Sequence, residues 1–412
     1  MKPRFPEHRR TRRFRTLVGA VAVLAAVPLA LTACSGSGGS SSGSAKSLTI
    51  EDYYAASYNP IYQQCAKTVG ATVTINHVAG AGLIAKVLQQ ASSRTLPDVL
   101  MLDNPDVQQI AASGALAPLD DYGLTADGLV PAVKAANTYK GKLYGLQPVT
   151  NSIALYYNKK LLAAAGVTPP KTWDELKAAA KKLTQGKTYG FAMSNINTYE
   201  GTWQFLPFFW SNGGDEKNIA TSGAAQALQF DLDLQNDGSM SKSSINWAQA
   251  DVNSQFIAGK AAMMINGPWQ LPLLNAAKGL DFSSVPIPTR TGEPTVAPLG
   301  GEAFTIPQTK DAAKMKLAAK FVGCLNAEKM QSTVAGITGN VPTNITAADA
   351  WATTHPQVAS FVTTVKTARA RTGELGPDWP KAATKIYTAV QLALTGKASP
   401  QAALQQAQSQ NQ

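Results

Sequence analysis

Residues 97–114, PDVLMLDNPDVQQIAASG, change character half-way along. Val99 to Asp103 follow a proline and run apolar to their last residue, which is the pattern of a short strand buried on both faces. The remainder predicts a helix, with Asn104 at its cap, Pro105 in its first turn and Gly114 just past its end. Upstream the same alternation repeats. SLTIEDYY (47–54) reads as a strand, NPIYQQCAKTVG (59–70) as a helix closed by Gly70, and ATVTINHV (71–78) as a strand of period two. AGLIAKVLQQASS (81–93) follows as a helix. Strand and helix in turn mean an α/β domain with a largely parallel sheet. Such sheets bind ligands beyond the carboxyl ends of their strands, which selects Tyr53 and Tyr54 after the first strand and Asp103 and Asn104 after the third.

The N-terminal 33 residues are of another kind. Seven basic residues and one acid precede LVGAVAVLAAVPLAL (17–31), the order of a secretory signal. The apolar run is shorter than the roughly 20 residues a membrane-crossing helix needs. LTAC (31–34) resembles the bacterial lipobox, which implies cleavage before Cys34 and lipidation of its thiol. Residues 1–33 are thus expected to be a signal peptide, and 34–47 a lipidated cysteine with a Gly/Ser spacer. The export route, general secretory or twin-arginine, stays open.

Without that segment, 30 bases face 25 acids, so the basic balance belongs mostly to the signal. Four arginines remain (Arg94, Arg290, Arg369, Arg371), and no basic cluster is interleaved with aromatics, which argues against nucleic acid. Scarce arginine also disfavours a polyanionic solute and favours a neutral one. Cys65 and Cys324 either pair or sit as buried thiols. No metal or cofactor is expected: only His77 and His355 remain, and DLQNDG (233–238) lacks the twelfth-position Glu of a calcium loop and reads as a helix end. Enzyme motifs fail on context. GSSSG (39–43) lies in the spacer, and SMSK (239–242) has no companion motifs.

LYYNKKLLAAAGVTPPKTWDELKAAAKKL (155–183) supplies a strand end, a short helix, a Pro-stiffened loop, and a helix opened by a capping box of Thr172 and Glu175. This pattern closely resembles the extracellular solute-binding proteins of ABC importers, the sugar-binding family that includes maltose-binding protein. FLPFFWSNGGD (205–215), FIAGKAAMMINGPW (256–269), PLGGEAFTIP (298–307) and AAKFVGCLNAEKMQ running on to TGNVP (318–342) continue the resemblance in order.

The resemblance implies a two-lobe, periplasmic-binding-protein-like α/β fold of type II, hinged by crossing strands. It puts 48–148 with 267–300 in one lobe and 149–266 with 303–412 in the other, with crossings near GLQPVTNS, INGPW and LGGEAF. It implies a monomer that hands a neutral carbohydrate to ABC permease subunits and their ATPase, tethered by lipid to the outer face of the cell membrane. A sugar site wants flat aromatics and fixed polar groups. Tyr54, Asp103, Asn104, Asn151, Trp203, Trp269, Glu302 and Trp379 are therefore the expected ligand contacts. Each tryptophan also reads as core, and Trp173 and Trp210 are assigned to packing. The same fold around a polyamine or a glycerol phosphate, or an extracellular glycosidase, are the alternatives.

Overall fold

The computed structural model describes residues 46–54 and 56–410. The expected signal peptide, Cys34 and the spacer to residue 45 lie outside the described residues. Strand β1 (Ser47–Asp52), helix α1 (Asn59–Thr68), β2 (Thr72–His77), α2 (Gly80–Ser93), β3 (Val99–Asp103) and α3 (Asn104–Ala112) follow the predicted alternation. β1 pairs in parallel with β2 on one side and β3 on the other. The apolar run of β3 makes it central, and Val99 through Leu102 are wholly buried. β2, with polar Thr72, Thr74 and Asn76 turned outward, is the edge. Beyond β3 come two strands from far along the chain, Glu302–Thr305 and Gly145–Leu146. The first of these runs antiparallel to β3.

A second sheet has the order Phe282–Val285, Ala154–Asn158, Ala261–Asn266, Tyr189–Ala192. Each sheet has its own core. Leu48, Ile50, Tyr62, Phe304 and Phe321 pack around the first, and Phe191, Phe205, Phe209, Met263 and Trp379 around the second. The capping box forms as read, with Thr172 Oγ1 accepting from the Glu175 amide at 3.2 Å and Glu175 Oε2 from the Thr172 amide at 3.3 Å. Trp173 stacks on Phe230 with centroids 4.8 Å apart, in the core where it was expected. Cys65 and Cys324 are disulfide-bonded, which ties α1 to the helix Ala312–Asn326.

Two segments lie in the opposite lobe from the one expected. Phe282–Val285 pairs with Ala154–Asn158 in the second sheet, whereas Glu302–Thr305 pairs with β3 in the first. The helices that follow, Ala312–Asn326 and Glu328–Thr338, bury Phe321, Val322, Val334 and Ala335 in the first core. Accordingly INGPW is not a crossing, because the chain stays with the second sheet through residue 285. Three segments run side by side between the lobes instead. Asn151 and Gly300 exchange backbone hydrogen bonds of 3.3 and 2.8 Å. Val341–Pro342 pairs with Val149–Thr150. The approach there is close enough to demand glycine: at Gly301, with φ +116°, a Cβ would lie 2.5 Å from Gln147 Nε2.

Candidate functional site

The pairing of Glu302–Thr305 with β3 sets Glu302 directly opposite Asp103. Like charges in that position repel, and each carboxylate is held separately. Glu302 accepts hydrogen bonds from the Tyr53 hydroxyl on Oε1 at 2.8 Å and from the Tyr54 hydroxyl on Oε2 at 2.5 Å. Asp103 is gripped by Arg371, whose Nη1 donates to Oδ2 at 2.8 Å and whose Nη2 donates to Oδ1 at 2.5 Å. Nη2 also donates to Asn104 Oδ1 at 3.1 Å. The guanidinium lies 4.6 Å from the centroid of the Trp203 ring, so one side chain joins the first lobe's strand ends to an aromatic of the second.

Two anchors fix Arg371. Arg369, two residues earlier, exchanges backbone bonds with Ala297 and Leu299 and pairs with Glu216 at 2.8 Å. On the other side, Gln108 Nε2 of α3 donates to Thr372 Oγ1 at 3.2 Å.

Burial raises the Glu302 carboxyl above its ordinary value; the Tyr54 hydroxyl opposes that, and Asp103 reinforces it. Burial, with Glu302 next, pushes the Tyr53 and Tyr54 phenols well up, so both remain donors. Asp106, in the first turn of α3, is pushed up to about 8 by burial and then by Asp103, with Arg371 opposing. Tyr199, which opens a helix of the second lobe, is raised by burial and then by Asp106, and its ring lies 6.5 Å from that of Tyr387.

Of the expected contacts, Tyr54, Asp103, Asn104, Trp203 and Glu302 come together in this one cluster. Asn151 bridges to Gly300 through its backbone, and a Cβ placed on Gly300 would meet both Asn151 Oδ1, at 2.1 Å, and the edge of the Trp203 ring, at 2.7 Å, so its side chain borders the cluster. Trp269 is half-buried just past the carboxyl end of Ala261–Asn266, packed on the second core. Trp379 is a correction. It is 1% exposed and lies 6.4 Å from Trp210, deep in the second lobe. The cause is helical spacing: Trp379 opens a helix whose Ala382, Ala383 and Ile386 are buried on the same face, and that face turns inward. Trp210 is core as assigned.

Arg371 and Asp106 were not singled out in the sequence. The one available signal was rarity, since Arg371 is one of four arginines after the signal and lies in the Gly-containing loop ARARTGELG. Both oxygens of Asp103 and both of Glu302 are already engaged. Each carboxylate is thereby held in one orientation, with lone pairs left over for a ligand's polar groups. Among the described residues no group of three or more His, Cys, Asp or Glu is placed to hold a metal, and no helix is long and apolar enough to cross a membrane.

The family model for bacterial extracellular solute-binding proteins matches residues 60–360. A maltooligosaccharide ABC transporter solute-binding lipoprotein of Streptococcus pneumoniae is 29% identical over 323 residues, covering 74% of each chain. Among solved structures, an ABC transporter solute-binding protein of Thermotoga lettingae bound with α-D-tagatose superposes with a TM-score of 0.78 at 25% identity, covering 88% of this chain and 97% of its own. Maltose-bound MalE3 of T. maritima gives 0.79 at 23% identity, over 88% and 98%.

Proposed function

The chain belongs to the bacterial extracellular solute-binding proteins, and from that footing we propose that it is the substrate-binding component of an ABC importer, closing its two lobes on a neutral mono- or oligosaccharide. The observation that carries this reading is the cluster at the first sheet's strand ends. There Arg371, Asp103, Glu302 and two tyrosine hydroxyls are fixed against one another beside the Trp203 ring. Pre-positioned donors and acceptors next to an aromatic face match the hydroxyl rim and C–H faces of a sugar. The maltooligosaccharide-transporting relative supports the same class. Closure signals loading to the permease only if ligand favours the closed form. The protein carries out no chemistry on its cargo.

Cys34 tethers the mature chain by lipid to the outer face of the membrane, and the protein acts there as a monomer beside its permease and ATPase. Cys34→Ala is expected to move it from the membrane fraction to the medium; retention at the membrane would remove the tether from this reading.

A second reading has one observation in its favour. Asp103, Asp106 and Glu302 outnumber Arg371, as a cationic polyamine site would require. One screen separates the two. Purified protein is melted with tagatose, maltose, maltotriose, spermidine or glycerol phosphate. A ligand at a hundred times its Kd stabilises the native state by about 2.7 kcal/mol, a shift of a few degrees. A saturable rise with a sugar, recovered intact, supports the receptor. Shifts with spermidine or glycerol phosphate alone overturn the sugar, and a cleaved sugar overturns the receptor.

A further inference from the structure

Two polar atoms of the cluster have no hydrogen-bond partner among the described residues although both are buried: Arg371 Nε and Asp106 Oδ1. Arg371 is 5% exposed and Asp106 is 6% exposed. One is a donor and the other a carboxyl oxygen. They belong to one place, because Asp103 and Asp106 stand three residues apart on one face at the start of α3 and Arg371 is forked onto the first of them. Tyr199 of the second lobe lies within electrostatic reach of Asp106, and its ring is 6.5 Å from that of Tyr387.

We propose that Arg371 and Asp106 are the pair that reads a ligand hydroxyl, which accepts from Arg371 Nε and donates to Asp106 Oδ1. The inference rests on the receptor reading above and narrows it. A hydroxyl is the common ligand group that both donates and accepts. An ammonium donates only and leaves Arg371 Nε unpaired. A phosphate dianion would bring its charge against Asp103 and Glu302, with the one arginine of the cluster already paired to Asp103. Of the three solute classes, the unpaired atoms fit the polyhydroxylated one. Arg371 enters this role already fixed, since its two terminal nitrogens are committed to Asp103 and Asn104. Asp106 makes no such commitment, so substituting it tests the pair without dismantling the fork.

The test titrates maltotriose, maltose and tagatose calorimetrically into the full-length protein in mild detergent, as wild type, Asp106→Leu and Asp106→Asn, and records the ligand-free Tm of each. Leucine removes the acceptor, and an unpaired partner is expected to cost about ten- to a hundredfold in affinity for the bound sugar. Its ligand-free Tm should stay level or rise, because an unsatisfied buried carboxyl has gone. Asparagine keeps a carbonyl acceptor and should retain most of the affinity. Wild-type affinity in Asp106→Leu overturns the pair, as does a joint fall of Tm and affinity in both variants. Preference for spermidine or a glucosamine dimer, lost in Asp106→Asn, overturns it in favour of a cation site. If wild type binds none of the three sugars, the receptor reading itself fails and the pair with it.

Discussion

At the scale of the residue, three tryptophans expected to do one job do three. Trp203 is buried under the Arg371 guanidinium, Trp269 is half-buried near a strand end, and Trp379 is core. Their substitutions should separate accordingly. Trp379→Ala is expected to destabilise the protein by about 3–5 kcal/mol, the usual effect of emptying a large core site. Sugar binding by the molecules that stay folded should be little changed. Trp269→Ala should do the reverse, weakening sugar binding at least tenfold with only a small drop in Tm. Parallel denaturation and titration of the two variants check this, and a large stability loss in Trp269→Ala would return that residue to packing. Asp103 and Glu302 could be nominated from the sequence because strand ends and a family motif mark them. Arg371 could not, because its partner is 268 residues away and a long flexible side chain in a loop follows no periodicity.

Among the elements, α3 shows local rules yielding to the site. Asn104 was expected as its cap, yet the capping position is Asp103, whose side chain makes no capping bond. Its carboxylate is occupied by Arg371 instead, which is where functional sites depart from local preference. The disulfide is the complementary case. Neither α1 nor the helix Ala312–Asn326 announces a partner 259 residues distant, and only their packing brings the Cα atoms to 5.7 Å. Closing so long a loop restricts the unfolded chain, and removing a native disulfide typically costs about 2–5 kcal/mol. Reduction, or the double substitution Cys65→Ser and Cys324→Ser, should therefore lower Tm by several degrees. The second sheet should be spared direct change, so hydrogen exchange should quicken first in α1 and Ala312–Asn326. An unchanged Tm on reduction would show that the bond does not form in the protein.

For the whole molecule, buried acids set the response to pH. Asp106 is pushed up to about 8 and Asp231 to about 7, in both cases chiefly by burial. Asp52, Glu216 and Glu302 are raised by burial as well. In the unfolded chain these groups ionise near pH 4. Between about pH 4 and 8 the folded protein therefore holds protons that the unfolded chain has released, so stability falls as pH rises through that window and levels off above it. Calorimetry should find a lower Tm at pH 8 than at pH 5.5, with the difference reduced in Asp231→Asn; a Tm that climbs over this range would contradict the burial of these groups. The sequence by itself determined the α/β class, the alternation from Ser47 to Gly114, the capping box at Thr172 and the likeness to solute-binding proteins, because each rests on spacing within a few tens of residues. Tertiary structure alone decided which lobe takes 282–285 and which takes 302–338, since an apolar strand suits either sheet and only register and core volume choose. It also decided that Arg371 meets Asp103 and Asn104 at the strand ends, because that meeting depends on three crossings folding back on one another.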